Sequence, residues 1–84
     1  MNWTVHWVKH AENRLAELWL YAPDRKAITR AANCIDQRLA TNPETAGVPW
    51  HKRRVLFEAL LAVTFTVDRQ AGRVDVLEVE RVSQ

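Results

Sequence analysis

Residues 50–54 read Trp-His-Lys-Arg-Arg, an indole and an imidazole followed by three consecutive cations. Such a run can stack a nucleobase on its aromatic ring and hold a phosphate backbone with its charges. An imidazole beside cations can also act as a general base near neutral pH. Each residue has a plain structural use as well. Trp50 can lie buried under a loop, His51 can be an ordinary exposed loop residue, and Lys52, Arg53 and Arg54 can solubilise a strand edge. Burial of Trp50 and exposure of His51 are the expectations adopted. The other imidazoles, His6 and His10, have no evident partner, and Tyr21 is the lone tyrosine. Cys34 has no cation beside it in the sequence to activate it, and is expected to be buried and inert.

Composition limits what these residues can belong to. Eighty-four residues are expected to form one domain with a modest core. The chain is 48% hydrophobic and 26% charged, so disorder is not expected. Four tryptophans are many for this length, and each brings a large area to bury. Twelve Lys+Arg against ten Asp+Glu leave a net charge of +2, far from that of a dedicated nucleic-acid-binding tail. A single cysteine cannot form an internal disulfide, no His/Cys cluster has zinc-finger spacing, and the sequence implies no cofactor. The N-terminal residues do not read as a signal peptide and no apolar run is long enough to span a membrane, so the cytoplasm is the expected location.

The elements that position the cations follow from periodicity. Trp3, Val5 and Trp7 alternate with Thr4 and His6, which predicts a strand over 2–8 with one buried face. Ala11, Leu15, Leu18, Trp19 and Ala22 fall on one face of a helix. Pro23 ends it, and Asp24 is suited to cap a second helix from about Arg25 to Thr41, whose apolar face is Ile28, Ala31, Ala32, Ile35 and Leu39. Thr41 to His51, with Asn42-Pro43, Gly47 and Pro49, reads as a loop. Residues 53–58, 60–67 and 73–82 read as strands, the last with its alternation slipping between Val76 and Leu77, as a bulge or burial on both faces would produce. The expected fold is α+β in the order β-α-α-β-β-β. A helical hairpin packs on a four-stranded, mainly antiparallel sheet whose last three strands form a meander. Phe57, Leu60 and Val82 are candidates to leave apolar area on the sheet's second face.

Three stretches carry a resemblance. Trp3-Thr-Val-His-Trp7 followed by Ala11-Glu12 and Leu15-Ala-Glu-Leu-Trp19 is one. Ala32-Asn-Cys-Ile-Asp36 with Leu39, Asn42-Pro43 and Gly47 is another. Arg54-Val-Leu-Phe57, Leu61-Ala-Val-Thr-Phe-Thr-Val67 and Val74-Asp-Val-Leu-Glu-Val-Glu-Arg81 make the third. Together with the element order and length, they resemble the RelE/ParE superfamily of toxins from type II toxin–antitoxin systems, over nearly the whole chain. The resemblance implies a toxin neutralised by a cognate antitoxin. RelE-like members cleave mRNA in the ribosomal A site, whereas ParE-like members poison DNA gyrase.

RNA cleavage of the first kind needs an activated 2′-hydroxyl, cations around the phosphate and an acid for the leaving oxygen. By resemblance, Arg54 and Arg81 stand at basic positions that would contact phosphate. Lys52, Arg53, Trp50 and His51 would bind nucleic acid or a partner. An ion pair with Glu78, Glu80 or Glu58 is the structural alternative for Arg81. Other expected parts are missing. Ala62 stands where cleaving members carry a further arginine, Glu80 where others often have histidine, and the sequence stops at Gln84 before their C-terminal tyrosine. Tyr21 is expected far from the active face. The reading is therefore of a ParE-like, non-cleaving toxin, with a RelE-like ribonuclease and a non-toxic binding module as alternatives. A homodimer remains open.

Overall fold

A computed structural model describes residues 3–82. The elements are β1 (Thr4–Trp7), α1 (Lys9–Leu20), α2 (Arg25–Thr41), β2 (Val48–Trp50), β3 (Arg53–Glu58), β4 (Leu61–Asp68) and β5 (Arg73–Arg81). They make one five-stranded sheet in the order β1-β5-β4-β3-β2, with both helices on one face. The meander is antiparallel throughout, and β1 joins its far side parallel to β5, placing Val5 beside Val74 and Trp7 beside Val76.

The four-stranded expectation is corrected by β2. This three-residue strand lies within the stretch read as a loop and pairs Val48 with Val55 and Trp50 with Arg53. Its position explains why composition hid it. β2 is an edge strand, where a proline such as Pro49 is tolerated.

The core lies between the sheet and the helices. Leu56 from β3, Leu61, Val63 and Phe65 from β4, and Val74, Val76 and Val79 from β5 are buried against Ile28, Ala31, Ile35 and Leu39 of α2 and Ala11 of α1. The slip in β5 is a bulge. Thr64 faces Glu78 and Phe65 faces Val76, so Leu77 is the extra residue, and both Val76 and Val79 still point inward. Asp24 caps α2 through its Oδ1, which accepts the Ala27 N–H at 3.1 Å. Cys34 is exposed, contrary to expectation. At about 100° per residue it falls well outside the stripe of Ile28, Ala31, Ile35 and Leu39.

Both two-residue turns of the sheet use a non-glycine residue in left-handed geometry. His51 (φ 58°) starts the two-residue turn between β2 and β3, and Ala59 (φ 51°) starts that between β3 and β4. Positive φ at the first turn position alone is the type II′ pattern, where glycine is the unstrained choice.

Candidate interaction site

The Trp50–Arg53 hairpin is held by cross-strand pairing, and its side chains stand in solvent. Trp50 is 53% exposed, so the expected burial does not occur. Val48 and Trp50 of β2, with their partners Val55 and Arg53 of β3, face away from both helices, and the indole is left open there. The His51 ring meets Trp50 edge-on, with centroids 4.8 Å apart. Lys52 and Arg53 are exposed beside them, and neither makes an ion pair among the described residues.

Arg54 points the other way. It lies opposite Phe65, on the helix side of the sheet. Its Nε donates to the Ala46 carbonyl at 3.0 Å and its Nη2 to the Gly47 carbonyl at 3.2 Å. The guanidinium thus ties the segment between α2 and β2 to the sheet. Gly47 is fixed there by space. Its φ is 66°, and a Cβ would come 2.1 Å from the Val55 carbonyl oxygen.

Arg81 lies opposite Leu61 at the far end of the sheet. Counting four residues along β4 and two strand spacings, its backbone is about 16 Å from that of Arg54. The two cations are not brought to one phosphate. Glu80 pairs instead with Arg14 at 2.8 Å and Glu58 with Arg38 at 3.1 Å, leaving Arg81 without an ion pair among the described residues. The Arg14 guanidinium holds the Glu80 carboxyl below the usual carboxylate range, chiefly by direct hydrogen bonding. Tyr21 borders the same shallow depression as Arg81, a juxtaposition that sequence reasoning missed. Ala62 lies on the open face between Phe57 and Glu80. Gln84 lies outside the described residues.

A second feature had no sequence signal beyond the excess of tryptophan. The two helices splay over β1 and leave a groove of about 690 Å³. Val5 and Trp7 of β1, Leu15 and Trp19 of α1, and Ile28 and Ala32 of α2 line it, with Glu12 and Asp36 at its polar margin. The Trp7 Nε1–H donates to Asp36 Oδ1 at 2.6 Å, and the Arg25 guanidinium sits 4.5 Å from the Trp19 ring centre. β1 is an edge strand. Thr4 and Val8 donate to carbonyls on the β5 side, so the N–H and C=O groups of Val5 and Trp7 point to the free edge. An apolar groove beside an open strand edge is suited to an added peptide strand.

No family model and no curated protein matches the sequence. Solved structures do match the fold. The toxin–antitoxin complex RelBE2 from Mycobacterium tuberculosis contains a chain that superposes with a TM-score of 0.84 at 15% identity, over 100% of this chain and 95% of that one. The chromosomal ParDE toxin–antitoxin system of Pseudomonas aeruginosa matches with a TM-score of 0.71 at 17% identity, over 96% and 97% of the two chains. TrmO from Pseudomonas aeruginosa matches with a TM-score of 0.66 at 21% identity, over 96% of this chain but 34% of its own. The chain therefore shares the fold of the matched RelBE2 and ParDE chains, the fold that the sequence resemblance implied.

Proposed function

We propose that this chain is the toxin of a type II toxin–antitoxin pair, acting in the cytoplasm and inhibiting growth by binding a target rather than by cutting RNA. The observation that carries the non-cleaving part is the dispersal of its cations. Arg54 is engaged with two backbone carbonyls, and Arg81 lies about 16 Å away. Phosphoryl chemistry requires such groups to converge on one developing charge. Ala62 and Glu80 supply no further cation between them. The full-length likeness to chains of two toxin–antitoxin complexes supports the class. Gyrase, the target of ParE-like toxins, is the first target to assay.

The groove beside β1 is the proposed seat of the neutralising antitoxin. An extended antitoxin segment would pair with the outward N–H and C=O groups of Val5 and Trp7 and fill the groove with apolar side chains. The deciding experiment is induced expression with and without the neighbouring reading frame, scoring growth, RNA integrity and DNA supercoiling together. Growth arrest relieved by the neighbour, with intact RNA, is the expected result. Cleavage of mRNA on programmed ribosomes, lost in Arg81→Ala, would overturn the non-cleaving reading. Unimpaired growth on induction would leave a binding module in place of a toxin.

The exposed hairpin supports a second reading. Trp50, His51, Lys52 and Arg53 together offer an open stacking ring and two cations without an ion pair among the described residues, the composition of a single-strand contact. A ribosome-dependent nuclease would use this hairpin rather than Arg54, so Lys52→Ala/Arg53→Ala would abolish any cleavage.

A further inference from the structure

The face of the sheet turned away from the helices is neither uniformly polar nor uniformly apolar. Its centre is the β4 column Ala62, Thr64 and Thr66, small side chains that are half-buried and form a floor. On one side, β3 and β2 raise an apolar wall of Phe57, Val55, Val48 and Trp50. Phe57 is 62% exposed, Val48 57% and Trp50 53%, and these residues border a depression of about 400 Å³ that also reaches Thr64 and Glu78. On the other side, β5 raises an acidic wall of Glu80, Glu78 and Asp75. Glu80 is paired with Arg14 and Asp75 with Arg73, while Glu78 makes no ion pair among the described residues.

We infer that this trough binds an amphipathic helix of a partner protein, apolar along one flank and basic along the other. Three features of the face specify that occupant. Val55 and Phe57 on β3 and the carboxylates on β5 stand either side of β4, about 10 Å apart, so one α-helix laid along β4 can meet both, with Val48 and Trp50 flanking it further out on β2. The small floor lets a helix settle between them, whereas a second sheet would need a level surface. The charges also set a direction. Lys52 and Arg53 lie at the hairpin end, where the one carboxylate, Asp75, is already paired with Arg73, and Glu78 and Glu80 lie toward the other end, so a bound helix points its C-terminus, the negative end of its dipole, at the cations. A nucleic-acid strand would bring its phosphates against the three carboxylates of β5, which disfavours it here.

This inference takes its biological setting from the binding-toxin reading, but its test requires no toxicity, so the two can fail separately. The probe is a stapled helical peptide of about 14 residues with leucine on one flank and lysine on the other, long enough to hold its helix once constrained. A leucine–glutamate peptide of the same length is its counterpart. Binding is followed by backbone amide chemical shifts of the full chain. The leucine–lysine peptide is expected to shift Val55, Phe57, Thr64 and Glu78. Glu78→Lys should weaken it roughly tenfold and allow the leucine–glutamate peptide to bind, and Phe57→Ser should weaken both. Phe57 is largely exposed, so a circular-dichroism melt should show that Phe57→Ser still folds, and the charge exchange at Glu78 gives an independent readout. Shifts confined to the α1–α2 groove, indifference to the Glu78 exchange, or no binding would overturn the proposal. So would self-association of the chain that Phe57→Ser abolishes, or binding of an oligouridine RNA with the same shifts. The first would make the face an interface between copies, and the second a nucleic-acid site.

Discussion

Phe57 and Phe65 are the two phenylalanines of this chain, one strand apart, and they stand on opposite faces of the same sheet. Phe65 is wholly buried beneath the helices, whereas Phe57 is 62% exposed on the uncovered side. Their neighbours repeat the contrast. Arg54, on the covered side, is tied to backbone carbonyls, while Arg53, beside Trp50, makes no ion pair among the described residues. Residue type does not distinguish these pairs. Register does, because one step along a strand exchanges structural duty for availability to a partner.

Substitutions can test that division, beginning with the largest expected loss. Phe65→Ala should cost about 3–5 kcal/mol in urea unfolding and Phe57→Ala under about 0.5 kcal/mol, because only the first opens a cavity. Equal losses would mean that the uncovered face is packed in solution. Gly47→Ala comes next, at on the order of 3 kcal/mol, since its methyl would collide with the Val55 carbonyl in a backbone geometry that already disfavours it. Arg54→Ala should cost about 1–3 kcal/mol by leaving two carbonyls unmatched, against about 0.5 kcal/mol or less for Arg53→Ala. If Arg53→Ala proved the costlier, the assignment of the two arginines to opposite faces would be wrong.

The smaller effects lie in the turns and at the surface. Ala59→Gly should raise stability by up to about 1 kcal/mol, because glycine takes φ 51° without strain. The Arg14–Glu80 pair makes a pH-dependent contribution. Glu80 has its pKa lowered in the folded chain, so the contribution is present above the unfolded carboxylate range and is lost as pH falls through and below it. Both groups are exposed, so the effect is the smallest of the set, seen as an acid-side loss of melting temperature that Glu80→Gln removes.

Much of this arrangement was legible in the sequence. Alternation located β1, β4 and β5, β-rich composition located β3, and helical spacing with Pro23 and Asp24 located α1 and α2. The slip at Val76–Leu77 marked the bulge. β2 was not legible, because three residues containing a proline are too short to show a period. The exposure of Trp50 followed from the same gap, since an indole read as part of a loop has no assigned face. Arg54 illustrates a different limit. Its sequence neighbours suggested a shared cationic surface, but strand alternation separates it from Arg53, and its carbonyl partners belong to a segment whose path only the folded chain defines. The groove over β1 depends on how far two helices splay, which no local pattern encodes.

The parallel pairing of β1 with β5 has a further consequence, one of timing. Thr4 lies beside Arg73, so the sheet joins segments about 70 residues apart in the chain. Every other strand pair is a neighbour in sequence and can form early, whereas this one carries the largest loop-closure entropy of the fold. During synthesis β1 and the apolar stripe of α1, which packs chiefly on β5, must wait until β5 has left the ribosome, whereas α2 can already settle on β3 and β4. The fold is thereby all-or-none in its last step. A nascent chain offers neither the groove beside β1 nor the trough over β4 until translation of the domain is almost finished, so the two surfaces proposed to bind partners come into being together and late.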